Sequence, residues 1–214
     1  MQHQLFSEIN KFRQWATNIP EENRSGEWEC DYDEYGWRAI YTSFRNFLIT
    51  SNSGDWNNDI INELLYIIAR DNELEELAEI VGKNPPILII LTKTAITIGE
   101  KDSKWQLASQ LTNLSDKKLA ENLLEKFVQD TSEYVRRRAL IALADIYSPK
   151  TEHYAKLAWD WDSNYKLQEY QRKVALYALD KINSPLLGHY LQLAKQDGRK
   201  FLLHDAILIE EKKK

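Results

Sequence analysis

The chain has 214 residues, of which 33 are acidic and 28 basic, for a formal net charge of −5. Hydrophobic residues make up 43% of it, with only seven glycines and five prolines. That is enough apolar material for a core and too little punctuation for an all-β fold. A single cysteine, Cys30, excludes an intrachain disulfide and a cysteine metal cluster.

Periodicity places helices in chain order near residues 3–18, 36–50, 55–70, 72–82 and 86–98. Asp71 and Ser103 are candidate N-caps, and Gly82 and Gly99 candidate stops. The β-branched run Ile87-Leu88-Ile89-Ile90-Leu91 fits a buried strand by local pattern, but Pro85-Pro86 before it and helices on both sides favour a helix. Further amphipathic stretches follow at about 117–130, 133–146, 151–162 and 169–182. Another begins at Pro185 with Ser184 as N-cap, and the last follows Gly198 and ends in a solvated tail, Glu210 to Lys214. The expected total is about twelve helices in six pairs.

An internal repeat organises the second half. Glu133 to Ile146 aligns with Glu169 to Ile182 at an offset of 36 residues, with eight identities in fourteen positions. The same offset relates His153-Tyr154 and Leu157-Ala158 to His189-Tyr190 and Leu193-Ala194, so both helices of a pair recur. Ala139, Ala142, Leu143 and Ile146 share one helical face, as do Ala175, Ala178, Leu179 and Ile182. The alanines admit a close neighbour and the larger side chains fill the gap. Lys104 to Ala108 continues the pattern weakly upstream.

On Tyr134-Val135-Arg136, Ala139-Leu140, Ala142-Leu143 and their counterparts at 170–179, the stretch from 102 to 211 resembles HEAT repeats. The resemblance implies an all-α fold, a right-handed α-α superhelix of about six HEAT-like pairs. One domain of 214 residues is expected, with a divergent helical half at 1–101 and the HEAT-like half at 102–214. Such folds mostly bind proteins. Two branches bear on function: HEAT-like glycosylases that excise alkylated bases, and HEAT-like immunity proteins that neutralise bacterial toxins, including those of contact-dependent growth inhibition. This small acidic chain is more similar to the second type.

Residues 21–34 hold seven acids (Glu21, Glu22, Glu27, Glu29, Asp31, Asp33, Glu34) against Arg24, with Trp28, Tyr32, Tyr35 and Trp37 interleaved or adjacent. A linker of this length is often functional. Its carboxylates suit a basic nuclease cleft as phosphate mimics, and its rings supply contact area. The plainer reading is a solvated loop whose aromatics cap the N-terminal helices. A second candidate is the helix face of Tyr134, Arg138, Ile141 and Asp145 with Tyr170, Val174, Tyr177 and Lys181, either a binding ridge or a face buried by neighbours. The basic cluster Arg136, Arg137, Arg138, Arg172 and Lys173 fits phosphate contacts or, preferably, ion pairs between repeats. Trp159-Asp160-Trp161-Asp162 with Tyr165 offers a glycosylase the rings and carboxylate it needs, but reads more simply as a helix end, with Asp162 or Ser163 starting the next turn.

His3, His153, His189 and His204 are scattered, so neither a metal site nor a cofactor is expected, and no phosphate loop or nucleophile elbow occurs. Acidity argues against nucleic acid and for a basic partner. The N-terminal residues lack a signal-peptide pattern and no run is long enough to span a membrane, so the expected location is the cytoplasm. The expectation is a non-enzymatic protein-binding chain whose partner is a basic toxin nuclease domain. A HEAT-like glycosylase and a generic scaffold are the alternatives, and the oligomeric state is left open.

Overall fold

The computed structural model describes residues 2–24, 26–162 and 164–213, without the side chains of Gln2 and His3. The chain is all-α: twelve α-helices, linked by short 3-10 turns and loops, and no strand among the described residues. They are α1 (Gln2–Thr17), α2 (Glu34–Thr50), α3 (Asn58–Arg70), α4 (Glu76–Gly82), α5 (Pro85–Ile98), α6 (Lys101–Gln110), α7 (Lys117–Phe127), α8 (Glu133–Asp145), α9 (Thr151–Asp160), α10 (Tyr165–Lys181), α11 (Leu187–Asp197) and α12 (Lys200–Lys212). No described helix is long and apolar enough to cross a membrane.

The chain divides into two compact units, residues 1–113 and 114–214. A division at 101/102 would group α6 with the repeats, whereas α6 packs on α3, α4 and α5 of the first unit. The units differ in charge: the first holds 18 acids and 10 bases, the second 15 acids and 18 bases. The overall −5 therefore conceals an acidic unit and a mildly basic one.

In the first unit α1 packs on α2, α3 lies against α5 and α6, and α4 is covered by α2, α5 and α6. The apolar run Ile87–Leu91 is helical, with prolines opening α5 where no amide is needed. Two expected caps are corrected. Ser103 sits inside α6, its hydroxyl donating to the Glu100 carbonyl, and Glu100 is the N-cap residue. Asp71 terminates α3, yet its carboxylate reaches forward to accept from the Leu77 amide, 2.7 Å away, in the first turn of α4.

In the second unit α7/α8, α9/α10 and α11/α12 form consecutive pairs, and α10 also packs on both α8 and α12. The alanine-leucine face explains this: Ala139, Ala142, Leu143, Ala175, Ala178 and Leu179 are all buried. The repeat extends into turns that the helical pattern does not reveal. Tyr147 and Asn183, 36 residues apart, both adopt left-handed φ, 54° and 52°. After each, Ser148 and Ser184 donate backbone N–H to Leu143 and Leu179 carbonyls, closing α8 and α10 with the same Schellman-type turn. Both serines precede proline, and each hydroxyl donates to a glutamate, Ser148 to Glu121 at 2.5 Å and Ser184 to Glu152 at 2.6 Å. Ser184 thus opens a turn at Pro185, and α11 starts only at Leu187.

The repeats diverge at the matched glutamates. Glu133 pairs with Arg137 of its own helix, whereas buried Glu169 accepts from the Phe201 and Leu202 amides, capping α12 from the side of α10. Gly198 takes the left-handed C-cap of α11 (φ 73°). Asn164, rather than Asp162, caps α10, and Ser163 lies outside the described residues. The expected frayed tail is helical to Lys212, with Glu210 paired to Lys195 and Lys213 to Asp180.

Candidate functional site

The acidic segment between α1 and α2 is built on a cluster of rings. Phe12, fully buried on α1, has the rings of Trp15, Tyr32 and Trp37 around it at 5.4, 5.0 and 5.4 Å. Trp28 stacks on Trp15 at 5.6 Å, and the Trp37 indole donates to the Glu29 carbonyl. Arg24, the lone base of the segment, donates to the carbonyls of Ala16 and Ile19 and so caps the end of α1. The side chain of Asp33 caps α2 through the Gly36 amide at 2.9 Å. A Cβ at Gly36 would lie 2.4 Å from Cε1 of Tyr32, so any larger residue there must displace that ring.

Two of the segment's predicted contact residues are therefore not available to a partner. Tyr32 is buried in the ring cluster, and Glu29 is only 2% exposed, bonded to Arg70 and Asn72 at 3.2 Å each. Burial raises the Glu29 carboxyl above the usual range, against the pull of Arg70 and Asn72. The physical reason is that a ring-anchored linker turns every few residues, so an acidic run cannot face solvent throughout. Trp28 is half-buried. Glu27, Asp31, Asp33 and Glu34 are exposed, as are Glu21 and Glu22, and Tyr35 stands 82% exposed at the start of α2. Glu34 pairs with Arg38 across one helical turn.

Next to this rim, α2 and the α3–α4 connection border a groove of about 510 Å³. Its lining includes Trp37 and Tyr41, stacked at 5.6 Å, and the acids Glu34, Asp71, Glu73 and Glu76. Arg38, Arg45 and Arg70 also line it, paired respectively with Glu34, Glu76, and both Glu29 and Glu100. Asp71 is 3% exposed and accepts from the Tyr41 hydroxyl at 2.8 Å. Desolvation pushes its carboxyl up to about 6, despite hydrogen bonds that favour the charged form. The Cys30 thiol is pushed up to about 12 by desolvation and by hydrogen bonding to the Glu73 carboxylate, so it stays protonated and poorly nucleophilic at neutral pH. Sequence reasoning missed Tyr41, Asp71, Asn72 and Glu73, because no local signal links positions 70–73 to the loop that they face.

In the second unit the face of α8 and α10 is partly open. Tyr134 is 36% and Tyr177 40% exposed, while Arg138, Ile141 and Tyr170 are half-buried. Arg137 lies between two of the rings, 4.6 Å from the Tyr134 centroid and 4.9 Å from that of Tyr170. The Tyr177 hydroxyl donates to Asp145, which also pairs with Lys181. The basic cluster is largely engaged within the fold. Arg136 donates to the carbonyls of Asp130 and Thr131 and covers the Trp161 ring at 3.7 Å; Arg172 donates to the Trp159 carbonyl and pairs with Asp197. Lys173 pairs with Asp205.

Trp159 is buried with its ring against Tyr190, and Trp161 is 38% exposed beside a cavity of about 40 Å³. That volume has room for about one water rather than an extruded base. His153 and His189 each pack edge-on against the adjacent tyrosine, Tyr154 or Tyr190. Among the described residues, no three His, Cys, Asp or Glu side chains are grouped to hold a metal. Compared with known proteins, the chain matches no family model, no curated protein and no solved structure.

Proposed function

We propose that this chain is a protein-binding HEAT-like α-solenoid of about six helix pairs, and specifically an immunity protein that binds a basic toxin nuclease domain and occludes its active site. The single observation that carries this reading is the acidic rim. Glu27, Asp31, Asp33 and Glu34 are exposed on a segment pinned to α1 and α2 by the ring cluster. Carboxylates on a pinned backbone lose little entropy when a partner docks, and their sign steers a basic surface toward them. Tyr35 supplies an exposed ring of the kind that dominates interface energetics. The stacked pairs α7 to α12 support the solenoid part of the reading.

The test is to co-purify the chain with the product of the adjacent gene and measure binding by calorimetry. Tight, salt-sensitive binding is expected, weakened at least tenfold in a variant carrying Glu27→Gln, Asp31→Asn and Glu34→Gln. Asp33 is spared because it caps α2. Absence of a complex, or a complex indifferent to those substitutions, refutes the proposal.

A further inference from the structure

We infer that the groove between α2 and the α3–α4 connection receives an arginine or lysine side chain of the partner protein. This rests on the reading of a basic protein partner and adds where its anchor is held. The groove has a surplus of acceptors. Each of its three arginines is already matched by at least one carboxylate. Asp71, in contrast, is held by neutral donors, the Tyr41 hydroxyl and the Leu77 amide, and Glu73 stands exposed at the rim of the groove. The buried Oδ1 of Asn72, another lining residue, has no hydrogen-bond donor. A guanidinium or ammonium brings only donors and a positive charge, which is what this set lacks.

The apolar parts fit the same occupant. The Trp37–Tyr41 stack forms a wall suited to a cation over aromatic carbon, and Leu74, 63% exposed in the lining, offers contact to an aliphatic stem. An anion would meet the uncompensated carboxylates, and a purely apolar group would leave them desolvated. Glu34 belongs both to the groove lining and to the acidic rim, so a partner docked on the rim reaches the groove without a second interface.

The experiment is an amide and indole NMR titration of the whole chain at pH 7 and low salt with N-acetyl-arginine amide. The neutral isostere N-acetyl-citrulline amide is the control. Saturable millimolar shifts are expected at the Trp37 indole N–H and the Leu77 amide with the arginine probe, and none with citrulline. Glu73→Lys, at an exposed position, should keep the fold by circular dichroism and weaken the probe at least tenfold. Lowering the pH from 7 to 5 should weaken it too, as Asp71 takes up a proton. Equal shifts from both probes, or arginine shifts confined to α8 and α10, overturn the inference. The two readings fail separately: a neighbouring-gene partner that binds Glu73→Lys at full strength removes the groove anchor and leaves the binding role. A normal arginine titration with no such partner keeps the groove and removes the immunity role.

Discussion

Asp71 makes the stability of the first unit depend on pH in an unusual direction. Its carboxyl is 3% exposed and sits at about 6 rather than near its ordinary 3.8, chiefly through desolvation, with the charge of Glu76 adding to it. The folded state therefore binds this proton more tightly than the unfolded chain. Stability from this group is gained as pH falls through about 6, is complete near the unfolded value of 3.8, and is absent above the folded value. The separation of the two values corresponds to about 3 kcal/mol, at ~1.4 kcal/mol per tenfold in proton affinity. Asp71→Asn removes the titration while keeping an acceptor for the Leu77 amide and a donor that the Tyr41 hydroxyl can accept. Urea unfolding from pH 4 to 7 should show wild type gaining about 2 kcal/mol over Asp71→Asn toward the acid end. Glu29 and Glu133, also raised by burial, contribute to both curves and cancel in the difference. Asp71→Ala should be destabilised at every pH by about 2 kcal/mol or more, because the Leu77 amide and Tyr41 hydroxyl lose their acceptor. A difference between wild type and Asp71→Asn that stays constant over this range would refute the reasoning.

Other substitutions test other parts of the fold. Gly36→Ala drives a methyl into the Tyr32 ring and should destabilise by roughly 1–3 kcal/mol in thermal or urea melts, with altered tryptophan fluorescence from the ring cluster. Glu169→Ala leaves two amides of α12 without their acceptor and should cost about 1–3 kcal/mol, with hydrogen exchange accelerating first at Phe201 and Leu202. Ser148→Ala and Ser184→Ala remove the same device from successive repeats and should each cost about 1 kcal/mol in urea melts. A large cost from one serine and none from its counterpart would show that the repeated turn is not energetically equivalent.

The helices were legible because each carries its own evidence. The 36-residue offset, the alanine-leucine faces and the prolines opening α5 are local patterns that any packing must respect. Even the capping role of Asp71 was half visible: the right side chain was singled out, but it reaches six residues forward instead of the two or three of an ordinary N-cap. Ser103 misled because a serine before a helical stretch looks the same whether it caps the helix or lies within its first turn. The repeated Ser-Pro turns were in the sequence too, at the same offset, but their left-handed residues are a tyrosine and an asparagine rather than glycines.

The sequence by itself determined helix content, the repeat and the existence of an acidic aromatic segment, since these depend on spacing along the chain. Only the tertiary structure decided which acids remain on the surface. Glu27 and Glu29 are two residues apart and chemically alike, yet one is exposed and the other is buried against Arg70 and Asn72, more than forty residues away. The same holds for the groove: its aromatic wall comes from α2 and the carboxylates of Asp71 and Glu73 from the α3–α4 connection, and packing alone brings them together. Burial and long-range pairing depend on where other segments fold, and no local pattern encodes that.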